Sequence, residues 1–332
     1  MKFGVIVVLF ILSVNSMFAQ YKYLDNIKSK SKIDSNYISE LPFKFLVNPS
    51  FYLKTTNFTI FSIDPNANKV IYKPNTPMKL SIVGAYKWLR LGFSISIPSY
   101  LNNKGNTESF GIYLNTQTKI FNWGLDLFYI KNRGYYLSNP ELNIPNWTDR
   151  QKYPFRSDLR ITNIGLYTHV LFSNKLSLKA ILQQSEKQLR SAGGFGIQAG
   201  LYSNILKNDS GIIPVSQKQY YPEIYDMNKG YFTGFAFRPG YAYTYVYHDF
   251  YAASIINIGI GLQFQSYWLE SDRHFGFDIS PSYKFQQVFG YNAESSFVKL
   301  SFTYMSSNFN IKHTKFTTNF MTISLGGGIR FL

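Results

Sequence analysis

"IINIGIGLQFQ", residues 255–265, splits cleanly by parity: Ile256, Ile258, Ile260, Leu262 and Phe264 on one side, Asn257, Gly259, Gly261, Gln263 and Gln265 on the other. A period of two over this length is a strand with one apolar face. What that face meets decides the fold. A water-soluble sandwich turns its apolar faces inward and puts charge outside. Here the second face is Gly, Asn and Gln, and the run has roughly the 9–11 residues that a tilted strand needs to cross a bilayer.

The pattern recurs along the chain. Leu80, Ile82 and Tyr86 alternate with Ser81, Val83 and Ala85; Leu91, Phe93 and Ile95 with Gly92 and Ser94; Val298, Leu300 and Phe302 with Lys299, Ser301 and Thr303. Thirteen candidate strands follow, near 51–63, 78–88, 90–98, 108–119, 122–131, 159–172, 176–186, 193–206, 229–246, 250–265, 276–291, 296–305 and 319–331. Aromatics near strand ends, Trp88, Trp123, Tyr129, Phe172, Tyr267 and Trp268, suit an interfacial girdle. No run beyond residue 19 is long enough for a membrane helix. A closed sheet satisfies every backbone polar group in lipid, which an open one does not. The expected fold is all-β, an antiparallel transmembrane β-barrel.

Single-chain bacterial barrels have an even number of strands, so the expectation is 12 or 14. Tight connections at Leu89, Phe121–Asn122 and Ser173–Lys175 fall after every second strand, and His248–Asp249 breaks that alternation. The miscount is therefore expected between 186 and 229, where "LKNDSGIIPVSQKQYYPEIYDMNKG" hides a strand or forms an unusual loop. Asn132–Asp158, with Pro140, Pro145, Trp147 and Pro154, is expected to be a long outer loop.

Composition agrees with this class. The 332 residues include 27 Tyr and 30 Phe, only 16% are charged, and Cys is absent. That removes disulfides, thiolate metal sites and cysteine nucleophiles together. Lys2, the apolar run Phe3–Leu12 and "SVNSMFAQ" read as a secretory signal over 1–19, cut after Ala19. Residues 20–50 are expected to be a periplasmic lead-in and 51–332 the barrel. The net charge of +16 in an exported chain points to outer-membrane lipids, lipopolysaccharide or a small anionic solute as partners, and not to nucleic acid. The final strand, "MTISLGGGIRFL", with Phe331 next to last, is the kind of end read by the barrel-assembly machinery.

"YKPNTPMKLSIVGAYKWLRLGFSISIP", "WGLDLFYIKNRGYYL", "YPFRSDLRITNIGLY", "EKQLRSAGGF" and "GYAYTYVYHDFYAASIINIGIGLQ" resemble the exported proteins of domain-of-unknown-function family 4421. The resemblance runs from about residue 50 to the C-terminus. It implies a Gram-negative outer-membrane barrel and its address, and no activity or catalytic residue.

The residues themselves suggest little chemistry. His169, His248, His274 and His313 have no metal-like spacing. Neither "GGG" at Gly326–Gly328 nor "AGG" at Ala192–Gly194 is followed by the Lys-Ser/Thr of a phosphate loop. No enzyme, cofactor or metal is expected. The polar candidates are Asp126, in an otherwise apolar strand, and two clusters: Arg156, Asp158 and Arg160, and Glu186, Lys187 and Arg190. A carboxylate facing lipid is costly, so Asp126 is expected in the lumen, seeking a cation among Arg156, Arg160, Lys187 and Arg190. The clusters read as a salt-bridge network closing the lumen, or as an anion-recognition patch at the barrel mouth. Three functions stay open: a pore or transporter for small polar or anionic solutes, a structural or interaction barrel binding lipopolysaccharide or a protein through its outer loops, and a lipid-modifying enzyme.

Overall fold

The computed structural model describes residues 33–75, 78–86, 89–97, 102–117, 122–149 and 151–331. The expected signal, residues 20–32 of the lead-in, and Trp88 lie outside the described residues. Fifteen strands are described: β1 (Ile38–Glu40), β2 (Phe45–Ser62), β3 (Val70–Lys73), β4 (Lys79–Tyr86), β5 (Leu89–Ser96), β6 (Glu108–Gln117), β7 (Gly124–Leu137), β8 (Phe155–Leu171), β9 (Glu186–Gln188), β10 (Ala192–Lys207), β11 (Met227–Tyr247), β12 (Phe250–Leu269), β13 (Asp272–Asn292), β14 (Ser296–Ile311) and β15 (Thr314–Phe331). β2 starts at Phe45, inside the stretch expected to be lead-in.

The sheet closes on itself. β15 pairs with β2 along its length, from Thr314↔Ser62 to Phe331↔Phe45, and each further neighbour is antiparallel. Among the described residues, twelve strands make the ring: β2, β4, β5, β6, β7, β8 and β10 through β15. Of the expected 12 or 14, the ring has 12. β3 is a thirteenth member of the sheet and sits above the short β4–β5–β6 trio. It joins the outer half of β2 (Phe58↔Tyr72) to the outer end of β7 (Tyr72↔Leu137).

The expected strand at 176–186 is not one. Leu178 leads into a five-residue π-helical turn, Lys179–Gln183, which ends where Gln184 turns left-handed at φ 53°, and β9 follows. Leu176, Ser177, Leu178, Ala180 and Ile181 are all buried, whatever their parity. A segment enclosed on every side carries the same short apolar alternation as a strand, and periodicity alone does not separate the two. Ser173–Lys175 is accordingly the entry to an inward-folded loop and not a tight turn. The miscount lay here and not between 186 and 229. With this segment out of the wall, His248–Asp249 falls at the same end as Asn122, and the alternation of turns is restored. The other end carries the segments 102–107, 138–149, 151–154 and 208–226. Short turns are periplasmic and long loops external, so the end holding the start of β2 and the finish of β15 faces the periplasm. The expected 132–158 loop is shorter than its sequence suggested, because β7 continues to Leu137 and β8 begins at Phe155. It carries α1 (Pro140–Asn143).

The two parities of each strand separate as the alternation demands. Phe93 is 78% exposed and Phe264 67%, on the outer face of a closed ring. So much outward apolar surface is what a barrel wall shows to lipid. The lumen is the core. Tyr267, expected in the girdle, faces the lumen and is buried there. Close approaches inside use glycine: a Cβ on Gly124 would lie 2.2 Å from His169 Nε2, and one on Gly259 1.9 Å from the Phe237 carbonyl. At Gly259 the near atom is backbone, so only a residue without a side chain fits there.

Candidate functional site

The lumen is filled from both ends, by different chemistry. At the periplasmic end the 172–191 loop folds inward and β9 pairs with β1 (Ile38↔Gln188, Glu40↔Glu186) to make a small plug. Inside it, the Ser177 hydroxyl donates to Glu186 Oε2 at 2.5 Å and accepts from the Ala180 N–H at 3.0 Å. Gln188 Oε1 accepts from the Ser177 N–H at 3.0 Å, and its amide donates to the Lys175 carbonyl at 2.6 Å.

The wall holds this plug mainly by its carbonyls. Arg330, on the last strand, donates from Nε and Nη2 to the Gln184 carbonyl at 2.8 and 2.6 Å, and from Nη1 to the Ala293 carbonyl at 2.7 Å. Lys299 Nζ donates to the Leu182 carbonyl at 2.7 Å. Asn292 donates to the Glu186 carbonyl at 3.0 Å, and the Gln184 amide donates to the Tyr251 hydroxyl at 2.8 Å. Asn122 donates to the Ser173 and Leu176 carbonyls. Lys187 pairs with Asp249 in the β11–β12 turn. The hydrogen bond from Lys187 holds the Asp249 carboxyl below the ordinary carboxylate range. Apolar packing also contributes, where Leu176, Leu178 and Ile181 meet Ala242, Tyr251, Ala253 and Val288.

Above the plug lies a polar layer. Gln183 donates to Asn115, and Asn115 donates to Asp126. His169 Nδ1 stands 3.7 Å from Asp126. Arg238 is 1% exposed in the wall of the lumen, donates to Ser282 Oγ and Gln198 Oε1 at 2.9 Å each, and lies over the Tyr167 ring. A cavity of about 50 Å³ remains, lined by Asp126, His169, Gln198, Asn257 and Lys284 among others. That volume suits a few waters or a small ion.

The outer end is closed by an apolar core. Ile212, Ile213, Tyr221 and Ile224 of the 208–226 loop descend into the mouth and join Phe232, Phe309 and Phe316 from the wall. The Phe232–Phe309 and Phe309–Phe316 ring centroids are 4.4 and 4.9 Å apart. Tyr72 donates to the Ile212 carbonyl at 2.8 Å and Tyr221 to the Asn68 carbonyl at 2.7 Å. Burial pushes the Tyr221 phenol up to about 12. The 138–154 loop is tied in by Asn139, which accepts from the Ile71 N–H and donates to the Lys69 carbonyl.

The residues singled out by sequence therefore occupy three separate places. Arg156 and Asp158 form a two-bond fork (2.8 and 2.7 Å) at the outer end, where Arg156 also donates to the Gly211 carbonyl at 2.9 Å and Ser210 Oγ at 2.9 Å. They clamp the 208–226 loop. Arg160 shares its strand parity with outward Ile164 and sits on the outside of the wall. Glu186, Lys187 and Arg190 belong to the periplasmic plug, with Arg190 over the Tyr37 ring at 5.9 Å. Asp126 faces the lumen, but its neighbours are Asn115 and His169 and none of the four cations expected for it. The two clusters do not meet in one mouth, because they lie at opposite ends of the barrel. Sequence reasoning missed Arg330, Arg238, Lys299 and Lys284 as contributors. Their signal was a long cation on the otherwise small or polar parity of a strand. Among the described residues no group of three His, Asp or Glu side chains is placed to hold a metal ion.

The model of the family described as Domain of unknown function (DUF4421) matches residues 32–331. The chain belongs to this family. No curated protein matches it. Among solved structures the DUF4421 barrel is similar to the outer membrane protease OmpT of Escherichia coli, at 10% identity over 88% of this chain and 98% of that one with a TM-score of 0.37. It is also similar to the translocator domain of the autotransporter NalP of Neisseria meningitidis (7%, 96% and 97%, 0.31) and to the P. putida toluene transporter TodX (8%, 87% and 91%, 0.23). The assignment of the DUF4421 chain as an outer-membrane β-barrel rests on its closed ring and outward apolar face, not on these remote likenesses.

Proposed function

We propose that this protein is a closed outer-membrane barrel that works through its surface, as an interaction barrel, and does not stand as an open pore. One observation carries the reading: the lumen is occupied at both ends, by a plug at the periplasmic side and an apolar core at the outer side. Twelve strands leave an interior intermediate between barrels that fill with side chains and those that hold a channel, and here side chains and folded loops occupy it. The outer loops are pinned by partly buried hydrogen bonds, which supports a fixed recognition surface. Reconstituted in planar bilayers, the protein is expected to give no stable single-channel steps; sustained stepwise conductance of the unaltered chain overturns the reading.

A second reading has its own observation. Lumen-facing Lys54, Lys79, Arg238, Lys284, Lys299 and Arg330 outnumber Asp126, Asp278 and Glu186. A gated conduit for small anions would use such a lining once the plug moved. It expects anion-selective conductance from a variant loosened at both ends, Arg330→Gln with Phe316→Ala, and silence from the unaltered chain. A silent double variant in which both 172–191 and 208–226 have become protease-sensitive removes it. The standing expectation that the chain is not an enzyme belongs to the same proposal; unchanged lipid profiles on expression of the four single His variants would support it.

A further inference from the structure

The register of the wall lines up a row of cations that alternation alone does not disclose. Arg133 pairs with Arg160, Arg160 with Lys207, and Lys207 with Lys229. Lys229 pairs with Trp268, and Trp268 with Arg273. The row crosses β7, β8, β10, β11, β12 and β13, and every member takes the outward parity of its strand. Lys207 and Arg273 are exposed, and the Arg133 side chain is 47% exposed.

Like charges directly opposite one another destabilise a sheet, and here three consecutive cross-strand pairings are cation on cation. The protein supplies little to offset them. The one carboxylate within 4 Å of the row, among the described residues, is Glu108, at 3.9 Å from Arg133. Asp158, the next acid above Arg160, is taken by Arg156. Arg160 Nε is buried without a hydrogen-bond partner.

The row also marks the upper edge of the lipid-facing band. Below it on the same outward parities come Ile164, Leu201, Phe235, Phe264 and Phe277, all exposed. At its level stand aromatics of a headgroup girdle: Tyr231 and Trp268 meet edge-on at 5.7 Å, Lys229 lies 4.3 Å over Trp268, and Arg273 lies 5.0 Å over Trp268. Trp and Tyr concentrate at this boundary. Neighbouring strands are about 4.8 Å apart, so the four cations from Arg133 to Lys229 spread over roughly 15 Å. Strands in such barrels tilt by about 35–45°, which carries the row obliquely through the headgroup layer.

We infer that this row is a binding site for the phosphate groups of a multiply phosphorylated glycolipid, the lipopolysaccharide of the outer leaflet. The inference rests on the interaction-barrel reading and names its partner. Arg forks take phosphate oxygens in pairs, and Lys supplies point charge. A ligand with several phosphates at different depths neutralises the whole oblique row, whereas a free phosphate meets one or two members. The aromatic end, Tyr231 and Trp268, packs against sugar or acyl surface beside it.

The test uses the refolded chain in zwitterionic detergent, titrated with purified lipopolysaccharide and followed by native mass spectrometry or thermophoresis. The triple variant Arg160→Gln, Lys207→Gln, Lys229→Gln is expected to bind on the order of 100-fold more weakly. A control variant, Lys312→Gln in the β14–β15 turn with Lys315→Gln at the start of β15, should stay within about threefold of the unaltered chain. Chemically dephosphorylated lipopolysaccharide should bind the unaltered chain as weakly as the intact ligand binds the triple variant, and 10 mM inorganic phosphate (about that concentration suffices) should not displace the intact ligand. Folding of each variant is checked by its heat-modifiable gel mobility, and single replacements serve if the triple does not fold. Equal binding by folded triple variant and unaltered chain overturns the inference, as does equal binding of the dephosphorylated glycolipid or displacement by free phosphate. Conductance of the unaltered chain would sink the closed-barrel reading and leave this result standing, so the two failures are distinct.

Discussion

The outer closure and the periplasmic plug both fill the lumen, but they are built from different interactions. The outer closure is a continuous apolar core in which loop isoleucines meet wall phenylalanines. Opening it exposes a large buried apolar surface to water. The plug is packed on one side and otherwise held by side-chain donors aimed at loop carbonyls, chiefly from Arg330 and Lys299. Water replaces such bonds one at a time, and a typical net hydrogen bond is worth only about 1 kcal/mol, with charged ones at roughly 1.5–3. Two ends of one barrel thus differ in how they can open: the outer end cooperatively and at high cost, the periplasmic end through a few identifiable bonds.

The contrast can be broken or sharpened by substitution. The largest effect is expected from Phe316→Ala. Phe316 is fully buried and packs on Phe58, Phe232 and Phe309, so the variant should lose about 3–5 kcal/mol. Its urea midpoint, read by heat-modifiable mobility, should fall while bilayers stay silent. A stable variant would mean that the outer core does not seal the mouth.

Arg330→Gln should come next, at roughly 2–4 kcal/mol, because it strips several charge-assisted bonds and leaves the Gln184 carbonyl short of donors. Its readout is local: protease added from the periplasmic side should cut within 172–191 far faster than in the unaltered chain. Unchanged cutting would erase the distinction between the two ends. Arg156→Gln should cost less, about 1–3 kcal/mol, and act at the other end. Cleavage should rise in 208–226 and not in 172–191, since Arg156 bonds Ser210 and Gly211.

The smallest effect is a pH dependence. Lys187 holds the Asp249 carboxyl below its ordinary value. A depressed carboxyl contributes stability that is complete above the unfolded value of about 3.9 and is lost as pH falls through the lower folded value. Protease resistance of the plug should therefore be the same at about pH 7 and pH 5 and decline below about pH 4. The decline should vanish in Asp249→Asn; a decline that persists there would assign the effect to another group.

What could be read from the residues differed between wall and lumen. Ile256 to Phe264 must meet lipid on every second residue, so the strand declares itself in one dimension. Leu176 to Leu182 alternates too, but that stretch is enclosed by the barrel, and enclosure leaves no parity signal. Arg156 and Asp158 looked like a mouth cluster because they are two residues apart, and they do grip each other. Their separation from Glu186 and Lys187 was not legible, since nothing local says that 172–191 turns inward at the opposite end. Asp126 was placed in the lumen by the cost of a carboxylate in lipid, yet its neighbours Asn115 and His169 came from strands whose register no local pattern specifies.

The sequence by itself determined that this chain makes a membrane barrel: alternation and the aromatic load are local consequences of a wall between lipid and lumen. Only the tertiary structure decided that the ring closes at twelve strands, that the lumen is sealed at both ends, and that Arg133, Arg160, Lys207 and Lys229 stand side by side. Each of these depends on which strand lies next to which and in what register. That is a property of pairings between residues far apart in the chain, where hydrogen bonds form between backbones and the side chains only vote on the face.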